Sequence, residues 1–301
     1  PYRRQRQMCI RDRSRTLFDP ILVADLMSKV KGKSSLAKLS AQSPIPFSGL
    51  KEFTFTMDKE IDIVAENGKN TEGGITVAPV TIVPIKFTYS ARVSDEFMYA
   101  SEERKLQILT AFNEGFANKV AKGFDLAAFH GINPRTGEAS TVVNTNHFDS
   151  KVTQTTTYAA ETCDENLDAI ISTVQGADGE VTGMALSTQM GAALAKIKEN
   201  GVRQYPEFRF GASPESLGGM TCDVNNTVYN KTVKDHGIVG DFKNAFKWGF
   251  SKEIPLEVIP YGDPDNTGND LKGHGQVCIR AEVYIGWGIL VPEFFGRIVE
   301  A

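Results

Sequence analysis

Residues able to do chemistry are sparse in this 301-residue chain, and they do not cluster. Gly32-Lys33-Ser34 matches the tail of a phosphate-binding loop, in which backbone N–H groups and the lysine cradle phosphate. Methionine at position 27 stands where the first glycine of such a loop belongs, and the residues before the motif carry a helical rather than a strand pattern. Gly273-His274-Gly275 lacks the third glycine and the strand–helix–strand setting of a dinucleotide fingerprint, so we expect a loop entering the terminal strand. DPDNTG at 263–268 opens like a calcium loop, whose oxygens would wrap a hard cation. Thr267 at its fifth position and His274 in place of the bidentate glutamate favour an ordinary proline turn.

His130, His147, His236 and His274 are dispersed, without HExxH or other ligand spacing, and no GxSxG elbow presents a serine. His130 closes a helical run, where a positive charge suits the helix dipole. Asn225-Asn226-Thr227 and Asn230-Lys231-Thr232 meet the glycosylation pattern at chance level. Cys9, Cys163, Cys222 and Cys278 lie far apart with no CxxC pair, as free thiols in a reducing compartment do. We therefore expect no catalytic residue, no cofactor and no metal. A site assembled from distant residues is the one route left to an enzyme.

The element around which the chain is organised spans 94–131. Leu109, Phe112, Phe116, Val120, Phe124 and Ala127 recur at steps of three and four, which predicts a long helix with one apolar stripe. Asp95, Glu96, Glu102 and Glu103 suit its positive end, Ser94 or Ser101 can cap it, and Gly131 with Pro134 stops it. From Glu102 to His130 it would measure about 43 Å.

With 41% hydrophobic and 23% charged residues, the chain has the composition of a soluble globular protein in one or two domains. A net charge of −4 excludes global attraction to nucleic acid, and no apolar run approaches the roughly 18 residues of a membrane helix. Residues 1–14 are arginine-rich and unlike the rest of the chain; QMCIRDR within them resembles a translated sequencing adapter, so we expect a non-native segment there.

Residues 16–30 predict a short amphipathic helix started by Asp19-Pro20, and 31–49 an extended surface arm anchored at Leu36, Leu39, Ile45 and Phe47. Residues 51–92 alternate in two runs: Phe53, Phe55, Met57, Ile61 and Ile63, then Val80, Ile82, Ile85, Phe87 and Tyr89. Between them lies the turn-rich tip ENGKNTEGG at 66–74. This predicts a hairpin about 40 Å long, with Pro79 and Pro84 marking an edge strand. It forms either half of an ordinary sheet or a projecting arm that completes its burial on a neighbouring subunit. Further on we expect a strand at 140–143, helices at 164–174 and 187–199, and short strands at 181–186, 220–224, 238–242 and 245–250, together a compact inserted α/β subdomain. Strict period two from Val277 to Ile289 predicts a long strand, then a closing strand at 294–299; hairpin, helix and terminal strands would form one elongated layer.

In this order the elements resemble the major capsid protein of tailed bacteriophages, the fold named after phage HK97. The resemblance rests on KVKGKSSLAKLS (29–40), IPFSG (45–49), DIVAENGKNTEGG (62–74), RVSDEFMYASEE (92–103), AFHGINPRTG (128–137) and RAEVYIGWGILVPEFFGRIV (280–299). It implies an α+β fold with an N-terminal arm at 15–50, an extended hairpin called the E-loop at 51–92, a peripheral domain with the spine helix at 93–157 and 273–301, and an axial α/β domain at 158–272. It also implies self-assembly through hexamers and pentamers into an icosahedral virion shell around double-stranded DNA, in a bacterial cytoplasm and without a membrane. A separate scaffolding protein and a portal would be partners.

Assembly contacts are expected at Phe47, Phe53, Phe55, Glu66, Lys69, Glu72, Ile85 and Phe87. Certain members crosslink a tip lysine to an asparagine of another subunit; Lys69 sits at this tip, but no partner is identifiable, and no crosslink is expected. The alternatives are an encapsulin-like compartment shell and, more remotely, a soluble α/β enzyme.

Overall fold

The computed structural model describes residues 29, 33–251 and 256–300. The segment at 1–14 and, apart from Lys29, the helix expected at 16–30 lie outside them. The described elements run α1 (Ser35–Leu39), β1 (Leu50–Met57), β2 (Ile75–Ile82), β3 (Ile85–Ser94), α2 (Glu96–Tyr99), α3 (Glu102–His130), α4 (Phe148–Lys151), β4 (Thr155–Thr157), α5 (Cys163–Gly176), β5 (Gly183–Leu186) and α6 (Thr188–Leu194). There follow β6 (Lys198–Glu199), β7 (Val202–Arg203), β8 (Ser216–Leu217), β9 (Met220–Val224), β10 (Asp235–Gly240), β11 (Phe246–Phe250), β12 (Leu256–Ile259), β13 (Gln276–Ile289) and β14 (Phe295–Val299). They divide into two compact units, one holding Lys86–Ala121 and the described part of Lys252–Tyr284, the other Ser35–Ile85, Lys122–Ser251 and the end of the chain.

In the first unit, β12 pairs antiparallel with β13 from Leu256↔Ala281 to Ile259↔Cys278. The expected apolar stripe of α3 supplies Leu109, which packs with Phe97, Val277 and Ile279 in a buried core flanked by Val93, Ile108, Phe112 and Val258. Burying such a stripe, more than intrinsic propensity, is what stabilises a helix of this length.

The second unit is built on a six-stranded sheet of order β4-β14-β10-β5-β9-β8. Its core joins Leu167 and Ile170 of α5 to Met184, Leu186, Met190, Phe208 and Ile298. Ser187 caps α6 by accepting from the Met190 N–H at 3.1 Å. Phe124, near the end of α3, is fully buried between Trp248 and Trp287, with ring centroids 5.1 and 5.6 Å away. The chain ahead of the hairpin runs along β11: the Ser43 N–H donates to the Trp248 carbonyl at 2.9 Å. Gly249 permits this approach, since a Cβ there would meet the Ser43 carbonyl oxygen at 1.6 Å.

Several expectations need correction. Residues 35–39 form a helix rather than extended chain, because the buried Asp125 carboxylate accepts from the N–H groups at its start. The segment at 140–143 is turn, and the helix expected to 199 stops at Leu194, after which β6 and β7 form a small hairpin. The long hairpin pairs eight residues per arm, about 26 Å at 3.3 Å per residue, and 58–74 is an unpaired tip that includes Ile61 and Ile63. Pro84 ends the return arm, so Ile85 and Phe87 belong to β3, which pairs β13. No single elongated layer exists among the described residues: the hairpin is its own two-stranded sheet, and the closing strand β14 lies between β4 and β10. β11, placed in the inserted subdomain by its sequence position, pairs with β13.

Candidate functional site

The register of the hairpin places Phe53 opposite Pro79, Phe55 opposite Val77 and Met57 opposite Ile75. Alternation at period two puts these six side chains on one face. They are exposed: Phe55 to 69%, Met57 to 71% and Ile75 to 63%. The opposite face is engaged towards its base, where Glu52 is paired to Lys247 Nζ at 2.7 Å; farther out Thr54 Oγ1 donates to the Ala78 carbonyl of the same hairpin at 3.1 Å. At the hairpin base Ile82 is fully buried over Gly286 and Gly288, whose missing side chains leave room for it. An apolar ladder this continuous on a protein surface marks an interaction site.

Of the residues expected from sequence, the structure joins Phe53 and Phe55 on this ladder. Phe47 is separately exposed, and Glu66, Lys69 and Glu72 lie in the exposed tip. Ile85 and Phe87 are half-buried on β3, away from the ladder's register. Met57, Ile75 and Val77 were missed as contacts although their alternation was visible. The tip has internal order: Asp58 Oδ1 accepts from the Gly74 N–H at 2.5 Å, Thr71 Oγ1 donates to Asp62 at 3.0 Å, and Lys59 donates to the Glu72 carbonyl at 2.9 Å.

The calcium-like turn is filled by an arginine. Arg92 Nη2 donates to Asp263 Oδ1 at 2.7 Å and to Thr267 Oγ1 at 2.6 Å, Nε to Asp265 at 2.9 Å, and Nη1 to the Asn269 carbonyl at 3.0 Å. Hydrogen bonding from Arg92 holds the Asp265 carboxyl down at about 2. The residues that follow the phosphate-loop remnant are held by two carboxylates. Asp125, fully buried on α3, accepts from the Ser35 N–H at 2.9 Å and from Thr227 Oγ1 at 3.1 Å. Asp223 accepts from Ser35 Oγ and Lys38 Nζ, each at 2.5 Å. Gly273-His274-Gly275 forms a tight turn into β13, with Gly275 at φ +59°.

One buried cluster has the donor set of a metal site, with ligand atoms of His130, Asp149 and Asp235 within 4.8 Å of one another. Arg297 already supplies its cation: Nη2 lies 2.9 Å from Asp235 Oδ1 and 3.3 Å from Asp149 Oδ1. His130, in the last turn of α3, meets Asp149 Oδ2 through Nδ1 at 2.8 Å and the Thr227 carbonyl through Nε2 at 3.1 Å, so it is a buried member of this network. Asp149 Oδ1 has no hydrogen-bond donor, and a proton on the facing Asp235 would supply one. Burial, and then the Asp149 carboxyl, push Asp235 up to about 8. Burial alone would raise Asp149 too, but hydrogen bonds with His130 and Asp235 hold it below the ordinary carboxylate range. Burial lowers His147 and His236. These arrangements fasten elements together; none presents a nucleophile to solvent. Cys163, Cys222 and Cys278 are buried free thiols, with burial pushing Cys222 up to about 12.

No protein-family model matches the sequence, and the curated proteins give no match. Solved structures do match. A structure from Mycobacterium phage Ogopogo is 30% identical, with a TM-score of 0.76 over 89% of this chain and 92% of its own. One from Gordonia phage Cozz is 22% identical, with a TM-score of 0.70 over 91% and 86%. The capsid of a native GTA (gene transfer agent) particle shares the fold at 13% identity, with a TM-score of 0.64 over 89% and 90%.

Proposed function

Because this chain belongs to the phage major capsid protein family and forms an icosahedral shell, we propose that its β1–β2 hairpin is the E-loop through which neighbouring copies are joined. The uncovered ladder of Phe53, Phe55, Met57, Ile75, Val77 and Pro79 carries this assignment. Two strands with one bare apolar face are marginal alone, and a second copy laid on that face completes their burial. Obligate contacts of this kind exceed about 2,000 Å². Phe47 and the tip residues Glu66, Lys69 and Glu72 flank the contact, with Ile85 and Phe87 supporting the hairpin base.

In this proposal α3 is the spine helix, residues 15–50 the arm, and the sheet built on β5 and β10 the core of the axial domain. The role is structural. Copies join as hexamers and pentamers around double-stranded DNA in the bacterial cytoplasm, with a scaffolding protein and a portal as partners. Phage and gene-transfer-agent capsids among the structural neighbours favour this over a cellular compartment.

Negative-stain microscopy with light scattering on the full chain, alone and with an adjacent scaffold gene, tests the proposal. Closed shells or capsomer rings are expected, with β1 and β2 amides exchanging hydrogen far more slowly in shells than in free subunits. Shells in which the hairpin exchanges as fast as in free subunits would remove it from the contact.

A further inference from the structure

A second exposed aromatic lies far from the hairpin in sequence. Phe210 is 95% exposed and holds a left-handed backbone at φ +59°, a conformation unfavourable for a bulky residue. The turn that starts at Pro206 buries Phe208 in the core, then extends at Arg209 and turns Phe210 outward, with the Arg209 guanidinium 4.7 Å from the Phe210 ring centroid. Beside it lies a cleft of about 340 Å³, floored by Gly191, Phe208 and Val224 and rimmed by Lys196 and Arg209. Neither rim cation has an ion-pair partner among the described residues. The same unit exposes the opposite charge at the start of α5: Glu161 in the turn before the helix and Glu165 and Asp168 on it are exposed, Asp164 is half-buried, and the helix has no basic residue.

We infer that the Arg209–Phe210 peg and its cleft dock the acidic N-terminal half of α5 from a second copy, in a contact separate from the hairpin. Arginine and aromatic side chains are the types enriched at the centres of interfaces, and a strained exposed aromatic persists where function requires it. The cleft is too small for a helix but takes one or two side chains. Peg and acidic helix are different patches, so one copy's peg can meet the next copy's helix around a ring, a heterologous contact. The inference rests on the shell reading but not on the hairpin contact.

Charge reversal tests it. Arg209→Glu and Asp168→Lys, each alone, should lower the yield of closed shells about tenfold, the effect of one like-charge juxtaposition, while leaving subunit melting unchanged. The double variant should recover most of that loss, and Phe210→Ser should assemble poorly whatever the charges. Single variants that assemble like wild type, or a double variant no better than the worse single one, would overturn the contact. Wild-type protein that forms no shells in the same runs would instead overturn the shell reading.

Discussion

Arg92 Nε lies 2.9 and 3.1 Å from the two oxygens of Asp265, so a guanidinium takes the acidic turn whose oxygens would otherwise suit a metal ion. The turn's carboxylates and the strand bearing Arg92 are 173 residues apart in sequence. Charge-assisted bonds of this geometry fix orientation as well as position.

Arg92→Gln should let the Asp265 carboxyl titrate close to its ordinary value of 3.8 instead of about 2, as read by carboxyl NMR. Folding depresses this group, so its contribution is fully present above 3.8 and is lost as pH falls through about 2. Acid unfolding of the variant between those values should therefore be shallower than that of wild type. An unchanged Asp265 titration would show that Arg92 does not hold it in solution.

Asp235 has the opposite sign. Folding raises it from 3.8 to about 8, so its contribution is fully present below 3.8 and lost as pH rises toward 8. The slope approaches about 1.4 kcal/mol per pH unit where only the folded state holds the proton. Asp235→Asn, which stays neutral, should melt with a flatter pH dependence between about pH 6 and 8. Equal slopes in differential scanning would place the titrating proton elsewhere.

Asp125→Ala removes the acceptor of the Ser35 N–H and Thr227 Oγ1, a loss of about 1–3 kcal/mol for buried donors left without a partner. Amides of α1 should then exchange hydrogen well before global unfolding. Exchange of α1 only with global unfolding would mean that Leu36 and Leu39, both buried, hold the helix unaided.

Phe55→Asp changes a side chain that is 69% exposed, so melting of the free subunit should move by less than about 0.5 kcal/mol. Shell yield should collapse, because each shell would bury many such carboxylates without partners. Normal shells from this variant would show that the ladder remains open to solvent after assembly.

The long helix was legible because its stripe repeats over many turns, but the run expected over 94–131 divides at Ala100, whose extended backbone separates α2 (Glu96–Tyr99) from α3 (Glu102–His130). The hairpin was legible as alternation, but its length was not. Val80 to Tyr89 reads as one apolar run, and only the pairing shows that β2 returns along β1 while β3 joins β13. Single histidines and aspartates carried no signal, since Asp149, Asp235 and Arg297 meet through contacts that span up to 148 residues.

Local periodicity, caps and turn residues are properties of neighbouring positions, and the sequence by itself determined the elements they encode, along with the hairpin's apolar alternation. Which strands pair, which carboxylate meets which cation, and which apolar face is left bare depend on contacts between residues far apart in the chain. Each strand edge and buried charge has many partners of suitable chemistry, and only the packed tertiary structure selects among them by satisfying all of them at once.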